Sequence, residues 1–72
     1  MTSPTIQKLV LAGVTMNAAQ SAALVMEGLT NAEIAERRFL SPKTIKWHFN
    51  TTFKVIGVKN RSQLILWIVK TA

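Results

Sequence analysis

Two helix-start signals, at Thr30 and Ser41, constrain this chain more than any other feature of its sequence. At Thr30 the segment TNAEIAERR begins, and the hydroxyl can accept an orphan backbone N–H while Glu33, three residues on, reaches back to the cap. Ser41 precedes Pro42, which suits a first helical position because its missing N–H costs nothing there and its fixed φ is already helical. A second helix, PKTIKWHFNTTFKVI, then runs to Ile56 and stops at Gly57. The spacing predicts two helices joined by about three residues, Phe39 to Ser41. The first helix of such a pair braces the second at a steep angle. Phe39 is large for such a joint and is expected to cover it.

The second helix carries two unlike faces. At about 100° per residue, Ile45, His48, Phe49, Thr52, Phe53 and Ile56 fall on one side. Lys43, Trp47, Asn50 and Lys54 line up on the other, with Lys46, Thr44 and Thr51 flanking them. A solvated amphipathic face would account for lysines alone, but it would rarely hold a tryptophan at its centre or lack acids altogether. Spacing and charge together point to a helix that enters a groove of nucleic acid.

Charge distribution supports this. The 72 residues sum to +6, yet in residues 1–40 Lys8, Arg37 and Arg38 balance Glu27, Glu33 and Glu36. All the excess lies in residues 41–72, in Lys43, Lys46, Lys54, Lys59, Arg61 and Lys70, with no acid. A polyanion is the natural partner of such a field.

Three further helices are expected. Ser3 and Pro4 open a short one in MTSPTIQKLVLAG, with Ile6, Leu9 and Val10 on one face and Gly13 as terminator. It is too brief to stand alone and must dock. Thr15 caps the next, which reaches about Glu27 before Gly28 and is small-sided through Ala18, Ala19, Ala22 and Ala23, so that it can approach Ile34, Ala35 and the recognition helix closely. Asn60 caps the last, with Gln63 at the capping-box position. Its apolar residues, Leu64 to Val69, cover about 260° of the helix, where a surface helix needs an apolar arc of only about 100°. Leu64, Ile65, Ile68 and Val69 can serve the core. Leu66 and Trp67, with Lys70 beside them, are left for cover by the N-terminal helix or, as favoured here, for a subunit interface.

Composition excludes several classes. There are no cysteines, so disulfides and thiolate metal sites are ruled out. No apolar run approaches the roughly 18 residues of a membrane span, and the N-terminus lacks a signal peptide's basic region; a cytoplasmic protein without membrane partners is expected. The single histidine, His48, has no carboxylate at ligand spacing and reads as a packing and hydrogen-bonding residue. With no nucleophile and base pair, no phosphate loop and no metal cluster, neither an enzyme nor a cofactor site is expected.

The segments Val14-Thr15, LVMEGLTNAEIA over 24–35, LSPKTIKWH over 40–48 and GVKNRSQ over 57–63, in this order and spacing, resemble the LuxR-type (GerE-like) helix-turn-helix domain of bacterial transcription regulators. The resemblance implies an all-α fold, a four-helix domain over 14–72 with a short extra N-terminal helix in 1–13. It implies that the third helix of the domain, about 42–56, enters the major groove of double-stranded DNA and that the fourth supports a homodimer. Carried across by position, Lys43, Thr44, Lys46, Trp47 and Asn50 face the groove or its phosphates and Arg61 lies near the DNA backbone; Thr51 and Lys54, read from the helix face, complete the DNA-binding candidates. Leu66, Trp67 and Lys70 are the dimer candidates.

Some positions depart from the family pattern. TMNAAQ over 15–20 stands where the family has Thr-x-Arg-Glu-x-Glu, so that charged network is missing. Thr51, Thr52 and Val55 replace the usual asparagine, aliphatic residue and phosphate-holding lysine, leaving Lys54 and Lys59 to compensate. No receiver or sensor domain fits within 72 residues, which suggests an unregulated reader or a truncated form. The competing function is a small protein-interaction module that pairs with a longer LuxR-type regulator or with RNA polymerase and modulates it.

Overall fold

The computed structural model describes residues 3–70, and among them every regular element is helical. The order is α1 (Pro4–Leu11), α2 (Met16–Ala23), a 3₁₀ turn (Leu24–Glu27), α3 (Asn31–Arg38), α4 (Pro42–Ile56) and α5 (Arg61–Lys70). Each expected start is realised. Ser3, Thr15, Thr30 and Ser41 accept from the backbone N–H of Ile6, Ala18, Glu33 and Thr44, and Asn60 Oδ1 accepts from that of Gln63. The capping box at Thr30 is complete: its own N–H donates to Glu33 Oε1 at 2.9 Å, which with the other bond to Thr30 holds that carboxyl below the usual range. At the last helix the Gln63 side chain reaches past Asn60 and accepts from the N–H of Lys59 instead. The second helix departs from expectation at its end, where the α-helix tightens into the 3₁₀ turn before Gly28.

The elements pack around one core of Leu9, Val14, Ala18, Ala19, Ala22, Val25, Ile34, Ala35, Ile45, Phe49, Leu64 and Ile68. Ala18, Ala19 and Ala22 of α2 are fully buried, and small side chains there let α4 lie close across it. Leu9 is fully buried in the same core, so α1 contributes to it directly. Lys8 Nζ also donates to the carbonyl of Ile68 at 3.2 Å, tying α1 to α5.

Two expectations about α5 are corrected. Val69, expected in the core, is 55% exposed, whereas Trp67, expected to be left over, is partly buried against it. The apolar arc of this helix is so wide that periodicity could not choose which edge faces inward.

Phe39 is also corrected. It does not cover the joint: its ring is 94% exposed. Three helices close alike, with a residue two or three past the end donating back to a carbonyl five residues earlier: Val14 to Leu9, Leu40 to Ala35, Val58 to Phe53. The preceding residue must then take a positive φ. Gly13 and Gly57 do so at 107° and 78°, and the third position is Phe39, at 56°. A non-glycine residue there costs about 1–2 kcal/mol, and glycine's extra freedom in the unfolded chain returns about 0.5–1 kcal/mol of that. Phe39→Gly is therefore expected to stabilise by about 0.5–1 kcal/mol and raise the thermal midpoint by a few degrees. Phe39→Ala keeps the strain and loses only exposed surface, so it should melt within about 0.5 kcal/mol of the parent. Equal midpoints for parent and glycine variant would refute the strain.

Candidate nucleic-acid interface

Helix α4 is held from beneath and free above. Ile45, His48, Phe49 and Thr52 are buried against α2 and α3, with Phe53 and Ile56 partly so. Lys43, Lys46, Trp47, Asn50 and Lys54 are exposed on the opposite side, and Trp47 is 62% exposed at the centre of the row. Thr44 and Thr51 are half-buried at its margins. The Thr44 hydroxyl also shares a 2.9 Å hydrogen bond with Ser41, which fixes it at the helix start.

Arg61 lies apart from that row. Its guanidinium donates to Asn31 Oδ1 at 2.9 Å and to the Leu29 carbonyl, and sits 5.0 Å above the centre of the Phe49 ring. It joins the lead-in to α3, the underside of α4 and the first turn of α5. Beside it is a shallow concavity of about 230 Å³ lined by Asn31, Lys46, Asn50, Lys59, Asn60 and Arg61 together with Phe49 and Phe53. No carboxylate lines it, so it suits an anion more than a cation. Asn31 and Asn60 read locally as helix-start residues, and only the fold brings them together.

Beneath the interface lies a polar network that the sequence pattern had not disclosed. Arg38, at the end of α3, donates to the Asn17 carbonyl at 2.8 Å, to Asn17 Oδ1 and Gln20 Oε1 at 2.9 Å each, and to the Ser21 hydroxyl. Ser21 Oγ in turn is 2.7 Å from His48 Nδ1. The charged pattern absent from 15–20 is thus replaced by neutral acceptors around a cation supplied from α3. Burial pulls the Arg38 guanidinium below its usual value, and burial together with Arg38 holds the His48 imidazole below its usual value. His48 is a packing and hydrogen-bonding residue, as its isolation in the sequence implied.

The pattern of bacterial regulatory proteins of the luxR family matches residues 19–68, a span that takes in the lower part of α2, both helices of the braced pair and most of α5. The chain belongs to that family. Among its relatives, the CsgBAC operon transcriptional regulatory protein of Escherichia coli K12 is 48% identical over 40 residues, which is 56% of this chain and 18% of the relative. The HTH-type transcriptional regulator AlkS of Pseudomonas putida is 40% identical over 43 residues, 60% of this chain and 5% of AlkS. The DNA-binding transcriptional activator DevR/DosR of Mycobacterium tuberculosis is 38% identical over 53 residues, 74% of this chain and 24% of that protein. The matched stretch thus spans less than a quarter of each of these relatives. No solved structure matches the chain significantly. Among the described residues no helix is long and apolar enough to cross a membrane, and no three His, Cys, Asp or Glu side chains gather as a metal site would require.

Proposed function

We propose that this LuxR-type chain reads DNA as a cytoplasmic transcription regulator, with residues 14–72 as the reader and 1–13 as an N-terminal helical extension. The observation that carries the proposal is the acid-free exposed row Lys43, Lys46, Trp47, Asn50 and Lys54 on a helix whose other face is locked into the core. Seated in the major groove, the lysines neutralise phosphates, while Asn50 suits a paired hydrogen bond to adenine and Trp47 suits the methyl group of thymine. Thr44 and Thr51 flank the helix at groove-edge height. An A·T pair near the centre of each half-site follows.

The test is binding to random-sequence and enriched duplexes across a salt series. Affinity should fall steeply with salt, and Lys46→Ala should weaken binding to all sequences and reduce the log–log salt slope by about 0.9. An unchanged slope removes Lys46 from the phosphates. No affinity for any duplex at low salt moves the reading to a module that pairs with another LuxR-type regulator or with RNA polymerase.

The pairing surface in this proposal is α5. Leu66 is 54% exposed and, with Trp67, Lys70, Val58 and Gln63, lines a groove of about 260 Å³. Two copies joined there would present their recognition helices to half-sites about one helical turn apart. Solution mass should report a dimer that Leu66→Glu converts to a folded monomer. A parent that is monomeric at every concentration dismisses the interface.

A further inference from the structure

The Arg38–Ser21–His48 network bears on regulation of the proposed DNA reader, and rests on that reading. Ser21 is fully buried, and its oxygen lies within hydrogen-bond distance of two nitrogen groups from different helices. Arg38 can only donate, so it occupies one lone pair of the hydroxyl. The single serine hydrogen is then satisfied by an imidazole whose Nδ1 is bare, which places the ring proton on Nε2. In that state every bond of the relay is made.

Adding a proton to Nδ1 breaks this arrangement. Both neighbours of Ser21 Oγ become donors, the hydrogen of this fully buried hydroxyl is turned away from its acceptor, and two cations meet across one oxygen. Nothing nearby offsets them. α2, packed across the ring, brings no charged side chain, and α3 brings Arg38. Glu27 is paired with Arg37, Glu33 is folded back on Thr30, and Glu36 is exposed on the outer side of α3. From the remaining helices, Lys8 is engaged at Ile68 and Arg61 at Phe49 and Asn31. Within α4, Thr52 Oγ1 donates to the His48 carbonyl at 2.8 Å, and the Trp47 ring lies 5.8 Å from the imidazole, tilted by 59°.

We infer that this relay is an acid-sensitive latch on the recognition helix: protonation of His48 loosens α4 from α2 and α3 and releases DNA. The direction is set by the folded ring being the weaker base. Above its ordinary value of about 6.5, folded and unfolded chains are both neutral at this position and stability is full. As pH falls below that value the unfolded chain takes up protons first, and stability is lost progressively as pH falls through the folded value.

The experiment follows binding of a fluorescent 30-base-pair random-sequence duplex between pH 8 and pH 5 at fixed ionic strength, with the thermal midpoint and the His48 ring resonances recorded alongside. Affinity should drop at least about tenfold as the ring titrates, and the midpoint should fall with it. His48→Gln can still accept from Ser21 through its amide oxygen and should bind within about threefold of the parent at pH 7.5, with a flat profile down to pH 5. Arg38→Met should raise the pH at which the His48 resonances shift. Affinity that is level or rising while the parent's His48 resonances titrate overturns the latch, with no variant needed. If no duplex binds at any pH, the DNA reading fails, and the thermal midpoint decides the latch by itself: an acid-induced fall in the parent supports it and a flat midpoint overturns it.

Discussion

Ile45→Ala is expected to leave the chain largely unfolded at 37 °C. Ile45 is fully buried in the first half of α4, where it meets the small flank of α2 and the inner side of α3. Truncating such a side chain typically costs about 2–5 kcal/mol, the transfer energy of the lost methyl groups plus the cavity they leave. A domain of this size holds only about 3–5 kcal/mol in a single core without disulfides or metals. The loss therefore matches the whole reserve. Denaturant titration followed by circular dichroism would read it, with Lys46→Ala as the control: its exposed neighbour should stay within about 0.5 kcal/mol of the parent. A thermal midpoint for Ile45→Ala within a few degrees of the parent would mean that α4 is not seated on this residue and that the buried face is misassigned. Because the recognition helix takes its rigidity from this seat, loss of DNA binding should accompany loss of helicity in the same sample.

What the sequence disclosed is what short range determines. The helix starts at Thr30 and Ser41 were legible because cap and partner lie three residues apart, and the buried face of α4 was legible because its polar and apolar residues alternate at the helical period. Arg38 and Arg61 were not legible. Each finds its partners across separations of 17 to 32 residues, on helices whose mutual placement no local pattern encodes. Phe39 misled for a different reason: a large apolar side chain suggests cover, but the closing turn dictates its backbone, and in that conformation the ring points to solvent. At α5 the near-continuous apolar run left the inward edge undetermined, which is why Val69 and Trp67 exchanged places. For the interface, the exposed row on α4 could be read directly, whereas the concavity beside it needed three separate segments brought together by the fold.

Arg61→Met and Arg61→Lys are expected to separate stability from salt dependence. By position Arg61 belongs near the DNA backbone; by contact it is a staple, with two hydrogen bonds to the start of α3 and its lead-in and its guanidinium over the Phe49 ring. A guanidinium has five N–H groups, so two internal bonds do not exhaust it, and both roles are physically open. They separate by experiment. Arg61→Met keeps much of the stem and loses the fork, removing charged hydrogen bonds and a stacking contact worth about 0.5–1 kcal/mol. Since the site is only half-buried, the loss of stability should be about 2 kcal/mol in all. Arg61→Lys restores the charge but not the planar fork, which cannot hold Asn31 and the Leu29 carbonyl while lying on a ring, so it should recover less than half of that loss. The salt dependence of DNA binding responds to charge instead. If Arg61 serves the fold alone, the lysine and methionine variants share the parent's salt slope and differ from it in denaturant midpoint. If it also holds a phosphate, Arg61→Met lowers the slope by about 0.9 while Arg61→Lys does not. Parent-like stability in Arg61→Met would remove the staple altogether and return the residue to the DNA backbone, where its place in the sequence had put it.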